Sequence, residues 1–305
     1  MASDEGFIDV GDGVRLYFRA IGAGDAVVIP LACWTEEFDV LAGRRRVIFY
    51  DPRSRGGSTT LDLAQISFEN DIRDLEAVRA SLGLERVSLI GWSYFGGVVA
   101  RYAMENPEHV ERLVMVCGPP MRRVPHSGAI NRMMAERLEA VAPGFLHEVQ
   151  GASSLEPKKA RRLWDLLKQV RTGRPSRPVK STPARYDNER PEKVAAVFTR
   201  ALQTQGDWDW RDDARRVTSP ALYVFGTADI MPAEAVREWA EFLPNARILV
   251  LDGVGHHPSV EDPERFFPAL DTFLGGQWPE GATRDLVSSK GAATKAPAKN
   301  AGTKA

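Results

Sequence analysis

The sequence predicts an α/β fold in which a mostly parallel central sheet is flanked by helices. Short β-rich runs alternate with segments of helical periodicity along most of the 305 residues, as in consecutive βαβ units. Several of the β-rich runs are apolar on both faces, which is typical of buried parallel strands. The alternation stops between residues 119 and 215, where the pattern is helical, so the sequence also predicts an insertion.

Seven runs have the composition of strands, because they are rich in aliphatic and aromatic residues. They span residues 14–21, 26–31, 46–51, 86–91, 112–117, 221–226 and 247–252. Apolar residues at helical spacing predict helices over 69–82, 96–105, 232–243 and 262–274. Most of these helices would serve as crossovers that join one parallel strand to the next.

Residues 119–215 are predicted to form a helical cap, inserted between two parts of an α/β core at 1–118 and 216–278. Its three helices are expected near 128–149, 157–171 and 190–205. The segment holds 19 lysines and arginines against 12 aspartates and glutamates, although the whole chain has a net charge of -1. These charges either solvate the helix faces or attract anions.

Several classes of protein and partner are excluded by the composition. A net charge of -1 gives no nucleic-acid signature, and no apolar run approaches the roughly 20 residues that span a membrane. The acidic N-terminus does not resemble a secretory signal, and two cysteines fit a reducing, cytoplasmic setting. We expect a small-molecule substrate. The small, polar, lysine-dotted residues 279–305 are predicted to form a disordered basic tail.

Three residues carry candidate chemistry, and each one follows a predicted strand. Ser93 lies in GWSYFGG directly after the run VSLI, Asp229 lies in GTADIMP, and His256 lies in DGVGHHP. Acyl transfer by a serine needs a base to take the hydroxyl proton and an acid to orient that base. The order serine, acid, histidine is the order in which the α/β-hydrolase arrangement supplies them.

These motifs give the chain a resemblance to the α/β-hydrolase superfamily over nearly all of residues 6–276. Four segments resemble family motifs: the strand and helix on either side of Ser93, the GTADIMP turn, the GVGHHPSVEDPERF loop and the YDPRSRGGST segment. The resemblance implies an α/β-hydrolase fold with a cap and a catalytic triad of Ser93, Asp229 and His256, with no metal and no cofactor. His256 is preferred to His257 because it directly follows Gly255, as the family's base does.

Two departures from the family pattern lie beside the expected oxyanion hole. Phe95 replaces the second small residue of the Gly-x-Ser-x-Gly turn, and Leu31-Ala32 stand where most relatives have His-Gly. The resemblance implies that the backbone N–H of Tyr94 is one oxyanion donor. Cys33 is expected to supply the second N–H, since a backbone donor does not need a particular side chain.

An aromatic wall is expected around the serine, which favours an apolar or ring-bearing substrate group. Its predicted members are Trp34, Trp92, Phe95, Trp208, Trp210 and His257. For the two cap tryptophans, packing against the edge of the core is the alternative role. Glu36 and Glu37 follow the oxyanion loop, where they either begin a helix or recognise a substrate ammonium group.

The resulting prediction is a serine hydrolase that cleaves a small organic ester or amide through an acyl-enzyme on Ser93. One alternative is a peptidase similar to prolyl aminopeptidases, which the insertion size and the acids after the oxyanion loop allow. Another is a ligand-binding or regulatory protein on a hydrolase scaffold, because a fold does not fix a function.

Overall fold

A computed structural model describes residues 3–30, 35–59, 63–149, 156–173 and 191–285 of the chain. Its eight strands are β1 (Ser3–Asp9), β2 (Arg15–Ile21), β3 (Asp25–Pro30), β4 (Arg45–Tyr50), β5 (Val87–Trp92), β6 (Val110–Val116), β7 (Ala221–Gly226) and β8 (Ala246–Leu251). The seven predicted strands are confirmed to within two residues at each end. The prediction missed β1, a largely polar edge strand that lacks the apolar pattern of its neighbours.

The strands form one sheet in the order β1-β2-β4-β3-β5-β6-β7-β8. The first two strands pair antiparallel to each other, and β2 is antiparallel to β4. From β4 to β8 every neighbouring pair is parallel. The predicted α/β-hydrolase architecture is therefore confirmed, with β5 at the centre of the parallel part. The carboxyl ends of these strands lie at one edge of the sheet, where open α/β sheets place their sites.

Helices complete the layers and the insertion. They are α1 (Thr35–Phe38), α2 (Phe68–Ser81), α3 (Tyr94–Glu105), α4 (His126–Val141), α5 (Phe145–Val149), α6 (Pro157–Arg171), α7 (Pro191–Thr204), α8 (Arg211–Ala214), α9 (Ala233–Phe242), α10 (Pro258–Glu261) and α11 (Pro263–Leu274). Ser67 caps α2 by accepting a hydrogen bond from the N–H of Asn70, and Asp262 caps α11 in the same way. Among the described residues, no helix combines the length and apolarity that crossing a bilayer requires.

Two apolar layers cover the sheet, which explains why its strands are apolar on both faces. Along β7, Tyr223 and Phe225 belong to the layer that packs against α2, α3 and α9. Leu222 and Val224 belong to the opposite layer, which includes α11. This alternation follows from the two-residue period of a strand.

The segment between β6 and β7 carries α4 to α8, and it differs from the three predicted helices at two points: the short helix α8 was not predicted, and one predicted helix is divided. The helix expected over 128–149 is two helices, α4 and α5, separated by residues 142–144. Pro143 cannot continue the hydrogen-bond ladder of α4, and Gly144 has a φ of 77°, in the left-handed region. We call residues 119–215 the inserted segment.

The sequence predicts a disordered tail from residue 279, but the structure describes an ordered chain as far as residue 285. Residues 279–285 pack along the edge of the sheet, where the N–H of Ile248 donates to the carbonyl of Thr283 at 2.7 Å and the reverse bond measures 3.0 Å. The guanidinium of Arg284 also donates to the carbonyl of Ala240 in α9. These hydrogen bonds order residues 279–285, although their composition alone predicts disorder. Residues 286–305 lie outside the described residues.

Candidate active site

The turn between β5 and α3 presents Ser93 in a strained conformation. Ser93 has φ 54° and ψ -124°, which an L-residue rarely adopts, and its N–H donates to the carbonyl of Val116 at 2.9 Å. Gly91 makes this tight turn possible, because a Cβ there would lie 2.2 Å from the carbonyl oxygen of Phe95. The strand-to-helix turn predicted around Ser93 is therefore present.

Phe95 is accommodated because Gly91 approaches its backbone, while its ring packs against Tyr94 and Arg55. The ring is 5% exposed and lies edge-on to the ring of Tyr94, with centroids 5.1 Å apart. The guanidinium of Arg55 lies 5.3 Å from its centroid, within cation–π range. The position that holds the second glycine of the Gly-x-Ser-x-Gly pattern is thus occupied by a buried aromatic side chain. Phe95's predicted part in a substrate pocket stays a prediction.

Three side chains from different strand ends form a hydrogen-bonded row. Ser93 Oγ lies 2.9 Å from His256 Nε2, and His256 Nδ1 lies 2.8 Å from Asp229 Oδ1. Only 2% of His256 and 3% of Asp229 are exposed, whereas Ser93 is half-buried. The tertiary structure brings together residues up to 163 positions apart. This is the geometry that nucleophilic catalysis by a hydroxyl needs.

The electrostatics of Asp229 suit the orienting acid of such a row. Burial raises the pKa of this carboxyl, but the charge and hydrogen bond of His256, together with hydrogen bonds from Ile230 and Cys117, outweigh the effect of burial. The N–H of Ile230 also donates to Asp229 Oδ1 at 2.7 Å. The pKa of Asp229 therefore lies below its ordinary value. A carboxylate that stays charged can hold one tautomer of His256 and stabilise the imidazolium form.

The loop that carries His256 is held by a hydrogen bond and a ring contact from Trp92. The indole Nε1–H of Trp92 donates to the carbonyl oxygen of His256 at 2.6 Å, and the two rings lie 4.9 Å apart. The ring of His257 lies at the same distance from Trp92. Both residues were predicted to line a substrate pocket. The structure places them against each other and the histidine loop, and a role in the pocket stays a prediction.

Glu261 binds the backbone of the same loop. Its carboxylate accepts hydrogen bonds from the N–H groups of Gly255 at 2.9 Å and His257 at 3.1 Å. The N–H of His256 itself donates to the carbonyl of Arg171 in the inserted segment at 2.8 Å. Glu261 was not among the predicted site residues. Its position in the VEDPERF run was a signal, since an acid just past the histidine can reach back to free N–H groups.

The predicted first oxyanion donor, Tyr94, is the first residue of α3. Its N–H is one of the four that a helix leaves without an intrahelical partner, and the helix dipole favours negative charge there. The side chain is fixed, because its hydroxyl donates to Asp71 Oδ2 at 2.9 Å. Burial and the nearby charge of Asp71 raise the pKa of Tyr94, so the hydroxyl stays protonated. The predicted second donor, Cys33, lies outside the described residues, as do Leu31, Ala32 and Trp34.

A buried network of charges contacts the Tyr94 side chain through Asp71. This network was not predicted from the sequence. Asp71 pairs with Arg55 at 2.8 Å, and Arg53 pairs with Asp74 at 2.7 Å. Both arginines come from the YDPRSRGGST segment, and both acids come from α2. Buried ions need such partners because removal from water is costly for an unpaired charge. The four charges fix the segment after β4 against α2.

The predicted pocket tryptophans of the inserted segment pack within the helical layer. Trp210 is buried and stacks on Phe68 with centroids 5.8 Å apart. Trp208 stacks on Trp210 at 5.6 Å, and its indole N–H donates to the carbonyl of Pro120 at 3.0 Å. These contacts match the alternative role of packing against the edge of the core. Their predicted part in a substrate pocket stays a prediction.

Within the described part of the chain, one group of side chains has the spacing of metal ligands. It consists of Cys117, Asp229 and His256, whose ligand atoms all lie within 4.8 Å of one another. Asp229 and His256 are already hydrogen-bonded to each other. Cys117 is a free, buried thiol, and burial together with the charge of Asp229 raises its pKa. The hydrogen bonds that join Ser93, His256 and Asp229 suit acid–base chemistry.

The chain is similar to known proteins over most of its length. It is 24% identical over 247 residues to a pimeloyl-[acyl-carrier protein] methyl ester esterase of Aeromonas hydrophila, covering 80% of this chain and 91% of the relative. The structure matches that of a proline iminopeptidase of Mycobacterium smegmatis with a TM-score of 0.68 and 22% identity, covering 89% and 98% of the two chains. An esterase of Exiguobacterium antarcticum matches with a TM-score of 0.67 and 18% identity, covering 88% and 98%.

A family model described as the alpha/beta hydrolase fold matches residues 22–263, which is well over half of the chain. The match includes every strand from β3 to β8 and all three residues of the hydrogen-bonded row. The family resemblance found in the sequence is therefore confirmed. The chain belongs to the α/β-hydrolase fold family, and it is a hydrolase of that type.

Proposed function

We propose that this protein is a serine hydrolase that cleaves a small organic ester or amide through an acyl-enzyme on Ser93. The observation that carries the proposal is the unbroken row from Ser93 Oγ through His256 to Asp229, with bonds of 2.9 and 2.8 Å. The strained backbone of Ser93 supports it, because strain concentrates at functional positions.

In the proposed mechanism, Ser93 Oγ attacks the acyl carbonyl while His256 Nε2 takes the hydroxyl proton. His256 then gives that proton to the leaving alcohol or amine as the bond to the acyl carbon breaks. A water molecule attacks the acyl-enzyme with His256 again acting as base, and the acid product leaves as Ser93 recovers its proton. Asp229 keeps the imidazole in the tautomer that faces Ser93.

The negative charge on the tetrahedral oxygen would be stabilised by the N–H of Tyr94 and, by prediction, by the N–H of Cys33. Loss of one such donor typically costs about 3 kcal/mol of transition-state stabilisation. Neither donor depends on its side chain for this bond. This explains how a chain without His-Gly after β3 can keep the same chemistry.

The proposal places ester cleavage ahead of aminopeptidase activity. The esterase and proline iminopeptidase relatives allow both. Glu37, a candidate for binding a substrate ammonium, is instead hydrogen-bonded to Ser259 at 2.9 Å. That hydrogen bond occupies an oxygen of the carboxylate that would otherwise face a substrate ammonium. The presence of only two cysteines supports the cytoplasm as the place of action, which we include in the proposal.

A fluorophosphonate probe tests the nucleophile directly. We expect stoichiometric labelling of the wild-type protein at Ser93 and loss of both labelling and aryl-ester turnover in Ser93→Ala. Ser81→Ala, which changes an exposed serine at the end of α2, is the matched control and should behave as wild type. Unchanged ester turnover in Ser93→Ala would overturn the proposal. Comparing aryl esters with prolyl arylamides separates esterase from aminopeptidase activity.

A further inference from the structure

An arginine of the inserted segment binds the backbone of the turn that carries Asp229. Arg137, in α4, donates from Nη1 to the carbonyl of Ala228 at 2.9 Å and from Nη2 to the carbonyl of Asp229 at 3.1 Å. Its Nη1 also donates to the carbonyl of Val170 in α6 at 3.0 Å. One guanidinium therefore joins two helices of the inserted segment to the acid turn.

The N–H groups of the acid turn donate to carbonyls of the end of β7 and of the histidine loop. The N–H of Ala228 donates to the carbonyl of Val254 at 2.9 Å, and the N–H of Asp229 donates to the carbonyl of Gly226 at 3.0 Å. The turn is thus held through its N–H groups by Val254 and Gly226 and through two of its carbonyls by Arg137. A backbone whose N–H groups and carbonyls are both bound fixes where the Asp229 carboxylate points.

The planar fork of an arginine is needed for this arrangement. A guanidinium presents several N–H donors in fixed directions, so it can serve three carbonyl acceptors at once. A lysine ammonium keeps the charge but offers no rigid fork, and glutamine offers two N–H donors on a shorter stem. Leu138 is buried directly after Arg137 and anchors this part of α4.

We infer that Arg137 is a positioning residue of the hydrolase, acting through Asp229 to align His256 with Ser93. This inference rests on the proposed function of Ser93 as nucleophile. Arg137 contacts the acid turn and not the reacting atoms, so it serves the orientation of the row rather than a chemical step. The inserted segment then supports catalysis as well as covering the core.

The test compares Arg137→Gln and Arg137→Lys with wild type, using an aryl ester and the fluorophosphonate probe. A displacement of about 1 Å in a catalytic group lowers rates by roughly 100-fold, so a smaller shift should lower kcat about 10- to 100-fold in Arg137→Gln, with KM within about twofold. Arg137→Lys should recover part of the loss. Arg132→Gln is the matched control, because Arg132 is an exposed arginine of the same helix.

A double-mutant cycle distinguishes positioning from general damage to the fold. If Arg137 acts through Asp229, Arg137→Gln should slow probe labelling much less in an Asp229→Asn background than in wild type. An equal loss in both backgrounds, or an unchanged kcat in Arg137→Gln, would overturn the inference. If Arg137→Gln does not fold, the same cycle with Arg137→Lys decides. Absence of labelling in wild type would instead contradict the proposed function.

Discussion

The indole of Trp92 donates a hydrogen bond of 2.6 Å to the carbonyl oxygen of His256. The residue that precedes the candidate nucleophile therefore holds the loop of the candidate base, although 164 positions separate the two. The contact makes the distance between Ser93 and His256 depend on the side chain that directly precedes Ser93. Any change at position 92 should thus act on the geometry of the row.

Replacing Trp92 by phenylalanine keeps an aromatic ring beside His256 but removes the N–H donor. A hydrogen bond of this kind contributes about 1 kcal/mol, so kcat should fall about fivefold with little change in KM. Steady-state kinetics on an aryl ester measure the effect. Trp278→Phe is the control, because Trp278 packs against Phe273 at the far end of the chain. A raised KM with unchanged kcat would assign Trp92 to substrate binding instead.

Stability should depend on pH through Glu37. Burial raises the pKa of Glu37 in the folded protein above its value in the unfolded chain, about 4.3. The folded state then binds this proton more tightly, so the stabilisation is present at low pH and is lost as pH rises through the folded-state pKa. Thermal unfolding at pH 4, 6 and 8 should show Glu37→Gln gaining on wild type as pH rises.

The control for this pH dependence is Glu241→Gln, which changes an exposed carboxylate at the end of α9. Its melting temperature relative to wild type should vary less between pH 4 and pH 8 than that of Glu37→Gln. Equal pH dependence in the two variants would show that the burial of Glu37 is not its cause.

Gly91 should not tolerate alanine. The added Cβ would lie 2.2 Å from the carbonyl oxygen of Phe95 and 2.5 Å from a methyl group of Val99, so α3 would have to move. Overpacking of this kind destabilises by about 1–3 kcal/mol or more, and the shift also displaces Ser93. We expect a lower urea midpoint and slow probe labelling in Gly91→Ala.

Gly128→Ala is the matched control for this substitution. Gly128 lies in α4, where the nearest atom to an added Cβ is a flexible arginine nitrogen at 3.7 Å. Because alanine favours a helix over glycine by about 1 kcal/mol, this variant should be as stable as wild type or more stable. Wild-type behaviour of Gly91→Ala would show that the close approach of β5 and α3 is not required.

Local patterns in the sequence predicted the fold and the row of three residues. Periodicity located seven strands and the main helices, since burial imposes a period of two on strands and 3.6 on helices. Ser93, Asp229 and His256 could be predicted because each follows a strand within a short motif. The parallel topology then requires those strand ends to lie at one edge. Residues 279–285 were misjudged because composition does not show that a backbone finds partners on β8.

The contacts that hold this row in place were decided by the tertiary structure. Nothing near Arg137 in the sequence indicates that it donates to carbonyls more than 90 positions away, and Trp92 looked like a pocket residue. The buried ion pair of Asp71 and Arg55 was not predicted from the sequence either. Such contacts have no period and no local motif, because they depend on how separate elements pack. Short motifs in the sequence identify the candidate residues for the chemistry, and the packing of distant elements aligns their side chains.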